Sequence, residues 1–234
     1  MDTIGSGGGA QAGLYLQVAN GDTWVLTADN IEACTRAILG DAAKLPAAVQ
    51  EAKAFQPCSI CPKRNAGESC HAIRPILAVW DRFEGYTSHD RVRAEYHSLH
   101  GDFVVSADTT MQRALQFVSV MSLMYYCEVG KQYWKYFYGV HPLMSTDDLV
   151  TRVYLNMFWA CGGNVDETHA LINRFHDEIT TTTRCQMDRI RLFCHDDVLL
   201  NALVLTQVAS EFLAMNVEET LRRRVESFEQ SFFG

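Results

Sequence analysis

The chain has 234 residues, of which 48% are hydrophobic and 21% are charged. A chain of this length and composition can bury a sizeable core, so intrinsic disorder and a disulfide-dense miniprotein are excluded. The formal net charge of −8 argues against general binding to nucleic acids or anionic membranes, because such binding needs a basic face.

Apolar runs in the sequence are too short or too interrupted to predict a membrane span. The longest candidate, Val198–Met215, is broken by Asn201, Gln207 and Glu211, whereas a span needs about 20 mostly apolar residues. The N-terminal residues show no basic region followed by an apolar stretch, so a secretion signal is not indicated. We therefore expect a cytoplasmic protein without a membrane span.

The N-terminal part of the chain predicts a small antiparallel sheet. After a glycine-rich flexible tail at Met1–Ala12, two β-like runs flank Asn20-Gly21, a strong signal for a tight hairpin. A later run alternates apolar and polar residues, as in a strand with one buried face. The predicted strands are Leu14–Val18, Thr23–Thr27, Arg91–His97 and Asp102–Ser106. A covering helix is predicted from apolar residues at helical spacing: Ile73, Ile76, Leu77, Trp80 and Phe83.

The rest of the chain predicts helices. Thr109-x-x-Gln112 matches a capping box and opens a helix with an apolar stripe at Met111, Leu115, Val118, Ser122 and Tyr125. Further helices begin near Ser145 and Asp166, and the β-branched run Thr180–Thr183 predicts fraying or bending of the second. Two more helical segments cover Leu199–Phe212 and Val217–Phe228. The predicted fold is α+β, with a sheet subdomain over residues 13–107 and a helical bundle over residues 108–234.

Eight cysteines are present, and three of them are clustered. Cys58, Cys61 and Cys70 fall within thirteen polar residues that contain glycine and proline, which is not a core pattern. A Cys-x2-Cys turn lets two thiolates converge on one ion, and a third can arrive from the following turn. The other cysteines lie in apolar helical sequence, where free cysteine behaves as a small hydrophobe. The cluster therefore predicts a metal site.

A metal site of this kind needs a fourth ligand from elsewhere in the chain. His71 directly follows Cys70, and neighbouring residues seldom bind one ion together. Cys127 is the better candidate, because it ends the predicted helix from Thr109 and is the next cysteine along the chain. The expected metal ligands are thus Cys58, Cys61, Cys70 and Cys127, and the metal would join the sheet subdomain to the helical bundle.

The identity of the metal is left open between an iron–sulfur cluster and zinc. Pro62 directly after Cys61 resembles the Cys-Pro step of ferredoxin-type sites, and three local ligands plus a remote one differ from the paired knuckles of zinc ribbons. Both points favour an iron–sulfur cluster slightly. Two alternatives are three ordinary reduced cysteines in a loop and a redox Cys-x-x-Cys. The latter is disfavoured because Pro62 and the polar run after it do not open a helix.

The pattern resembles an uncharacterised bacterial family, a domain of unknown function. The residues that carry the resemblance are Cys58-x-x-Cys61-Pro62, Cys70, Cys127, His141-Pro142 and Asn201-Ala202, within about Leu14 to Met215. In that family Cys-Pro steps recur at the positions matching Cys61, Cys70 and Cys127, which implies that Cys127 belongs to the site. This chain departs from the pattern with His71 and Glu128 in place of proline. The family has no known activity, so the resemblance implies a metal site and little more.

Other candidate residues are better explained without a site. His141 is interpreted as a loop residue hydrogen-bonded to backbone, with a ligand near the metal as the alternative. The aromatic run Tyr133–Tyr138 is interpreted as core or as an oligomer interface rather than a base-stacking surface. Asp166-x-x-His169 occurs once, whereas a di-iron bundle needs such a motif on two helices. The basic run Arg222–Arg224 lies among glutamates and is interpreted as a salt-bridged surface.

Three functional hypotheses follow from the cysteine cluster. The preferred one is a metal-containing accessory, sensor or interaction module without catalytic residues of its own, which acts with a protein partner or as a homodimer. The second is a redox enzyme or electron carrier that uses the same cluster. The third is a structural zinc protein, in which the metal only contributes folding energy.

Overall fold

The computed structural model describes residues 11–40, 46–54, 58–66, 70–82, 85–98, 103–194 and 197–233. Its four-stranded antiparallel sheet has the order β2-β1-β3-β4. The strands are β1 (Gly13–Gln17), β2 (Thr23–Thr27), β3 (Arg91–His97) and β4 (Val104–Thr110). The predicted N-terminal antiparallel sheet is confirmed. Three parts of the prediction lie outside the described residues: most of the tail Met1–Ala12, Phe83 of the covering helix and Asp102 of the last strand.

Alternation of side chains explains the burial of the sheet. In the β1–β3 ladder Leu14 pairs with Tyr96 and Leu16 with Ala94, and all four side chains are buried. Val92, on the same face of β3, is buried as well. One face of the sheet therefore lies on the protein core, as period-2 patterning requires.

The edge strand β4 and the start of the next helix differ from the prediction. The ladder extends beyond Ser106 to Thr110, which pairs with Arg91, because all seven residues of β3 find partners. Thr109 is thus a strand residue and caps no helix, so the predicted capping box is wrong. The amides of Met111 and Gln112 donate instead to the backbone carbonyls of Asp90 and Ser88, at 2.8 and 3.1 Å.

Helices and a 3-10 turn occupy the chain between β2 and β3. They are α1 (Ala28–Gly40), α2 (Ala47–Ala54), a 3-10 turn at His71–Ile73, and α3 (Arg74–Leu77). The predicted covering helix through Ile73 and Trp80 is shorter than expected. After Leu77 the chain continues in tight turns, in which Val79 donates to the Ile76 carbonyl and Arg82 to that of Val79.

The next helix changes its winding before the fourth predicted ligand. After α4 (Met111–Val120) the chain continues as a π-helical turn at Met121–Tyr126. The wider turn rotates the last residues of the predicted apolar stripe around the helix. Tyr126 is therefore buried and Tyr125 is half exposed. The prediction that Tyr125 lies on the apolar stripe is wrong. Cys127 ends this turn, as predicted, and a 3-10 helix follows at Gly130–Phe137.

Three long helices complete the bundle: α5 (Thr146–Ala160), α6 (Val165–Ile190) and α7 (Asp197–Phe233). The predicted fraying at Thr180–Thr183 is wrong, because α6 runs through it. There the Thr181 and Thr182 hydroxyls donate to carbonyls one turn earlier, at 2.9 and 3.0 Å, and Thr182 and Thr183 are buried. The two predicted C-terminal segments form one helix, since no glycine or proline separates them.

One hydrophobic core runs from the sheet into the bundle. It joins Leu14 and Leu16 of β1 to Leu115 of α4, Phe175 of α6 and Leu203 of α7. Within the described residues, Asp197–Met215 of α7 is long and apolar enough to cross a membrane, in spite of its polar residues, and 44% of that stretch is buried inside the protein. Core helices of soluble proteins meet the same criteria, and a many-span membrane protein is excluded for the described part of the chain.

Candidate metal centre

Five cysteines surround one cavity of about 20 Å³. Cys58 and Cys61 come from the loop after α2, Cys70 precedes the 3-10 turn, Cys127 ends the π-helical turn, and Cys185 lies on α6. The structure therefore brings all four predicted ligands together. It also adds Cys185, which the sequence assigned to ordinary helical packing; that assignment is wrong. The other lining side chains are Lys63, His71, Glu128, Thr182, Gln186 and Arg189.

Tight turns position the first two thiols. The Cys61 amide donates to the Cys58 carbonyl at 3.0 Å, and the Arg64 amide donates to the Cys61 carbonyl at 3.1 Å. Consecutive turns of this type bring the Cys58 and Cys61 side chains to the same cavity, as the Cys-x2-Cys spacing predicts.

Cys127 is fixed by the π-helical turn and by its connection to the segment after Cys70. The Cys127 amide donates to the Ser122 carbonyl at 3.0 Å, and the Ser122 hydroxyl donates to the Ala72 carbonyl at 2.6 Å. A Cβ on Gly130 would lie 1.7 Å from the Leu123 carbonyl oxygen. Glycine is therefore required where the chain turns back against the π-helical turn, and π-helical turns are frequent at functional sites.

Protein N–H groups point at two of the sulfur atoms. The backbone amides of Val129 and Gly130 donate to the Cys127 sulfur, while burial raises the pKa of that thiol to about 11. The Gln186 side-chain amide donates to the Cys70 sulfur at 3.3 Å. Donors on a buried sulfur stabilise its anionic form, and a metal ion can replace the proton that burial retains.

The thiols of Cys58 and Cys185 are in contact with each other. The hydrogen bond to Cys185, with burial and the nearby thiols, raises the pKa of Cys58 well above its usual range. The same hydrogen bond lowers the pKa of Cys185 to about 6, and the Arg189 guanidinium contributes to this shift. The contact between the two thiols is thus the largest cause of both shifts.

Arg189 places a positive charge inside this site. Its side chain is fully buried, and its Nη1 atom donates to the side-chain oxygen Oε1 of Gln186 at 2.9 Å. A buried charge is costly unless charged or polar groups compensate it. The thiols around Arg189 can supply that compensation as thiolates.

An ion-pair network on the rim joins two cysteine-bearing segments. Glu128, which follows Cys127, accepts from Lys131 and lies 3.6 Å from the Lys63 ammonium. The hydrogen bond with Lys131, followed by the charges of both lysines, lowers the pKa of Glu128. Lys63 follows Cys61 in the chain, so this network holds the loop against the Cys127 turn.

His141 lies apart from the cysteines. It stacks on Tyr96 at 6.3 Å between ring centroids and contacts Phe103 edge-on, and burial lowers its pKa. Its Nδ1 atom is buried and has no hydrogen-bond partner among the described residues. The prediction that His141 is hydrogen-bonded to backbone is therefore wrong for its Nδ1 atom. The histidine that lines the cysteine cavity is His71, not His141.

The remaining candidates are structural. In the aromatic run, Tyr133, Tyr136 and Phe137 are buried in the core, which confirms that interpretation for them, whereas Tyr138 is 72% exposed. Arg222 pairs with Glu219 and Glu226 on the surface of α7, as predicted.

A polar stripe on α6 could have predicted the additional site residues. Thr182, Cys185, Gln186 and Arg189 follow the spacing i, i+3, i+4, i+7, which places them on one helix face. All but the half-buried Cys185 are at most 2% exposed. An amphipathic helix normally buries an apolar stripe. Polar residues at these positions are therefore a sequence signal for the additional site residues.

Within the described part of the chain, no group of three or more His, Cys, Asp or Glu side chains is already arranged to hold a metal ion. The sulfurs of Cys58, Cys70, Cys127 and Cys185 instead make the hydrogen bonds described above. Comparison with protein-family models found no match. Searches of curated proteins and of solved structures likewise found no significant similarity.

Proposed function

We propose that this is a metal-binding protein in which Cys58, Cys61, Cys70 and Cys127 bind one metal centre as thiolates. The observation that carries the proposal is the convergence of three separate chain segments on one thiol-lined cavity. Chance packing of reduced cysteines explains neither the amide donors on the Cys127 sulfur nor the buried Arg189 beside the cluster.

The donor set fits zinc. Four thiolates are a common structural zinc site, and a cavity of about 20 Å³ has room for one occupant of the size of a water molecule. The tetrathiolate site would carry a net negative charge, and Arg189 and Lys63 line the same cavity. Zinc is therefore the first candidate, which reverses the slight sequence-based preference for a cluster.

An iron–sulfur cluster is the second candidate occupant. The N–H donors to the sulfurs of Cys127 and Cys70 are of the kind that set the reduction potential of such clusters. A cluster is larger than a single ion, so the thiols would have to move apart to admit it. In this case an electron carrier becomes the alternative function.

The position of the site suggests an accessory or sensor role rather than catalysis. The four proposed ligands lie in the loop after α2, directly before the 3-10 turn at His71–Ile73 and at the end of the π-helical turn, so a bound metal would tie these three segments together. A change in metal content would alter the surface formed by these elements, which a protein partner or a second copy could detect. We propose a cytoplasmic location, where thiols stay reduced.

Metal analysis of ligand variants tests this proposal. Protein purified without oxygen should contain about one zinc per chain, or iron and sulfide in stoichiometric amounts, as four thiolate ligands bind one centre. Cys61→Ser, Cys70→Ser and Cys127→Ser should each lose most of the metal. Cys34→Ser is the matched control, because Cys34 is also half-buried and lines a different cavity. Equal metal loss in Cys34→Ser, or none in the other variants, would overturn the proposal.

A further inference from the structure

We propose that an apolar cavity next to α4 is a binding site for a small uncharged aromatic molecule with one hydrogen-bonding group, of the phenol type. This aromatic cavity is lined by Tyr96, Phe117, Trp134, Phe137 and His141, among others. Of the residues that the structure describes, none lines both this cavity and the cysteine cavity. The inference therefore goes beyond the proposed metal centre and does not depend on it.

Aromatic rings form much of the wall of the aromatic cavity. Tyr96 stacks on His141, and it packs against Phe117 at 6.1 Å between ring centroids. Trp134 and Phe137 line the same cavity from the 3-10 helix Gly130–Phe137. Aromatic rings attract one another in edge-on and offset arrangements. A planar ring is therefore the ligand body that these walls favour.

A buried amide without a partner lies in this apolar lining. Gln116 of α4 is 8% exposed, and its side chain makes no hydrogen bond to any other residue that the structure describes. Burial of an unbonded amide is costly, and buried polar side chains are normally hydrogen-bonded. A ligand hydroxyl can donate to the amide oxygen or accept from the amide nitrogen. Gln116 is thus the first residue expected to bind the polar group of the ligand.

His141 offers a second hydrogen-bonding group in the same cavity. Its Nδ1 atom has no partner in the described part of the chain, and its ring is half-buried, so rotation about the Cβ–Cγ bond can turn this nitrogen towards a ligand. In a neutral imidazole one ring nitrogen donates and the other accepts. A hydroxyl does both, so it suits the ring in either tautomer.

The composition and size of the aromatic cavity limit the ligand. No Asp, Glu, Lys or Arg is among its described lining residues, and a charged group in such a place would be costly. The cavity encloses about 40 Å³, and its empty space is about 440 Å³ when the open mouth is included. The ligand should therefore be uncharged and of the size of a single substituted ring, part of which lies in the mouth.

The winding of the chain contributes to this space. Val120 and Met121 line the cavity where α4 passes into the π-helical turn, and π-helical turns are frequent at functional sites. A second apolar cavity, of about 20 Å³, extends towards Phe175 and Leu213 and shares Gln116 and Val120 with the first. Ligand sites in helical bundles commonly lie between helices in this way.

NMR titration of the full, isotope-labelled chain with three probes tests the inference. Phenol should shift the signals of the Gln116 side-chain amide and the Trp134 indole. Toluene, which lacks the hydroxyl, should bind about 2- to 10-fold more weakly, as expected for the loss of one hydrogen bond. Benzoate, which is charged, should not bind. Absence of phenol binding, which would indicate that only water enters the cavity, would overturn the proposal, as would equal binding of phenol and toluene or tighter binding of benzoate.

A pair of glutamine variants separates ligand binding from a structural role. Gln116→Met keeps the length of the side chain and should weaken phenol binding about 2- to 10-fold without changing toluene binding. The thermal stability of the free variant should stay the same or rise, because an unbonded buried amide is removed. Gln207→Met is the matched control, since the Gln207 side chain donates to Glu211 and lies outside both cavities.

The control should bind phenol as the wild type does. Equal weakening of phenol and toluene in Gln116→Met, or unchanged phenol binding, would refute the role of this amide. If Gln116→Met does not fold, the three probes and the shift of the Gln116 signal in the wild-type protein decide alone.

Discussion

The two halves of α6 bury different kinds of side chain on the face that packs against the protein. In the N-terminal half the buried stripe is mainly apolar, with Leu171, Ile172, Phe175 and Ile179 in the protein core, although Thr168 is buried there too. In the C-terminal half Thr182, Gln186 and Arg189 are equally buried but face the cysteines. Apolar burial stabilises the fold, whereas buried polar groups are costly unless neighbours satisfy them. The polar half is therefore where a specific chemical role is to be sought.

The largest expected effect on stability lies in the apolar half. Phe175 is 3% exposed and packs edge-on against Tyr133 at 4.9 Å between centroids. Phe175→Ala should cost about 3–5 kcal/mol of unfolding free energy, measured by urea denaturation of reduced protein. The alkylation rate of Cys185 in the folded variant should stay at the wild-type value. A parallel change in that rate would show that the two halves are not independent.

Gly130→Ala tests the turn that positions Cys127. Because the new Cβ would lie 1.7 Å from the Leu123 carbonyl oxygen, the chain must shift, at a cost of about 1–3 kcal/mol as for other overpacked sites. Metal content should fall together with thermal stability. Gly139→Ala is a control outside the site, although its positive φ of 74° adds strain of its own. Full metal retention in Gly130→Ala would contradict the role assigned to this turn.

Removal of the buried Arg189 charge should change the reactivity of Cys185 more than the stability of the fold. In metal-free wild type the alkylation rate of Cys185 should rise with pH through about 6 and then level off, because the thiolate reacts and its pKa is lowered to about 6. Arg189→Met should move this midpoint to higher pH. Each unit of displacement lowers the thiolate fraction about tenfold at pH below both midpoints.

Cys58→Ala tests a second contribution to the pH midpoint of Cys185 alkylation. The hydrogen bond from Cys58 is the largest cause of the low Cys185 pKa, and Arg189 is a smaller one. The midpoint should therefore move further in Cys58→Ala than in Arg189→Met. The opposite order would show that charge, not the thiol hydrogen bond, controls Cys185.

The smallest effect is expected on the exposed rim. Glu128→Gln removes the ion pairs with Lys63 and Lys131, and such surface pairs contribute about 0–1 kcal/mol. Thermal stability should change by at most a few degrees, and added salt should reduce the difference. A larger loss that salt does not reduce would indicate that Glu128 supports the cysteine turn in another way.

The sheet and the helices could be predicted where local patterning decides them. Arg91–His97 alternates cleanly. The helix α5 begins next to Ser145 as predicted, and the Asp148 amide donates to the Ser145 hydroxyl at 3.1 Å. Local patterns failed where tertiary contacts decide. Thr180–Thr183 stay helical: the hydroxyls of Thr181 and Thr182 donate to carbonyls of the preceding turn, and Thr182 and Thr183 are buried by the packing of α6.

The candidate site was predictable only in part for the same reason. The spacing of Cys58, Cys61 and Cys70 indicates a cluster, and Cys127 follows from its place at the end of a helix. Cys185 and Arg189 lie more than 110 residues beyond Cys70. The polar stripe on α6 marks their helix face, but the loop that this face meets depends on how α6 packs, and sequence spacing between distant segments does not encode that packing.

The metal centre is best tested by the metal and sulfide content of anaerobically purified wild type and Cys127→Ser, with an absorption spectrum of each. Wild-type protein should contain about one zinc per chain without colour, or iron with sulfide and a visible band, since four thiolates hold one centre. Cys127→Ser should lose most of that metal. Wild-type protein without metal, or a variant with full metal content, would contradict the proposed metal centre.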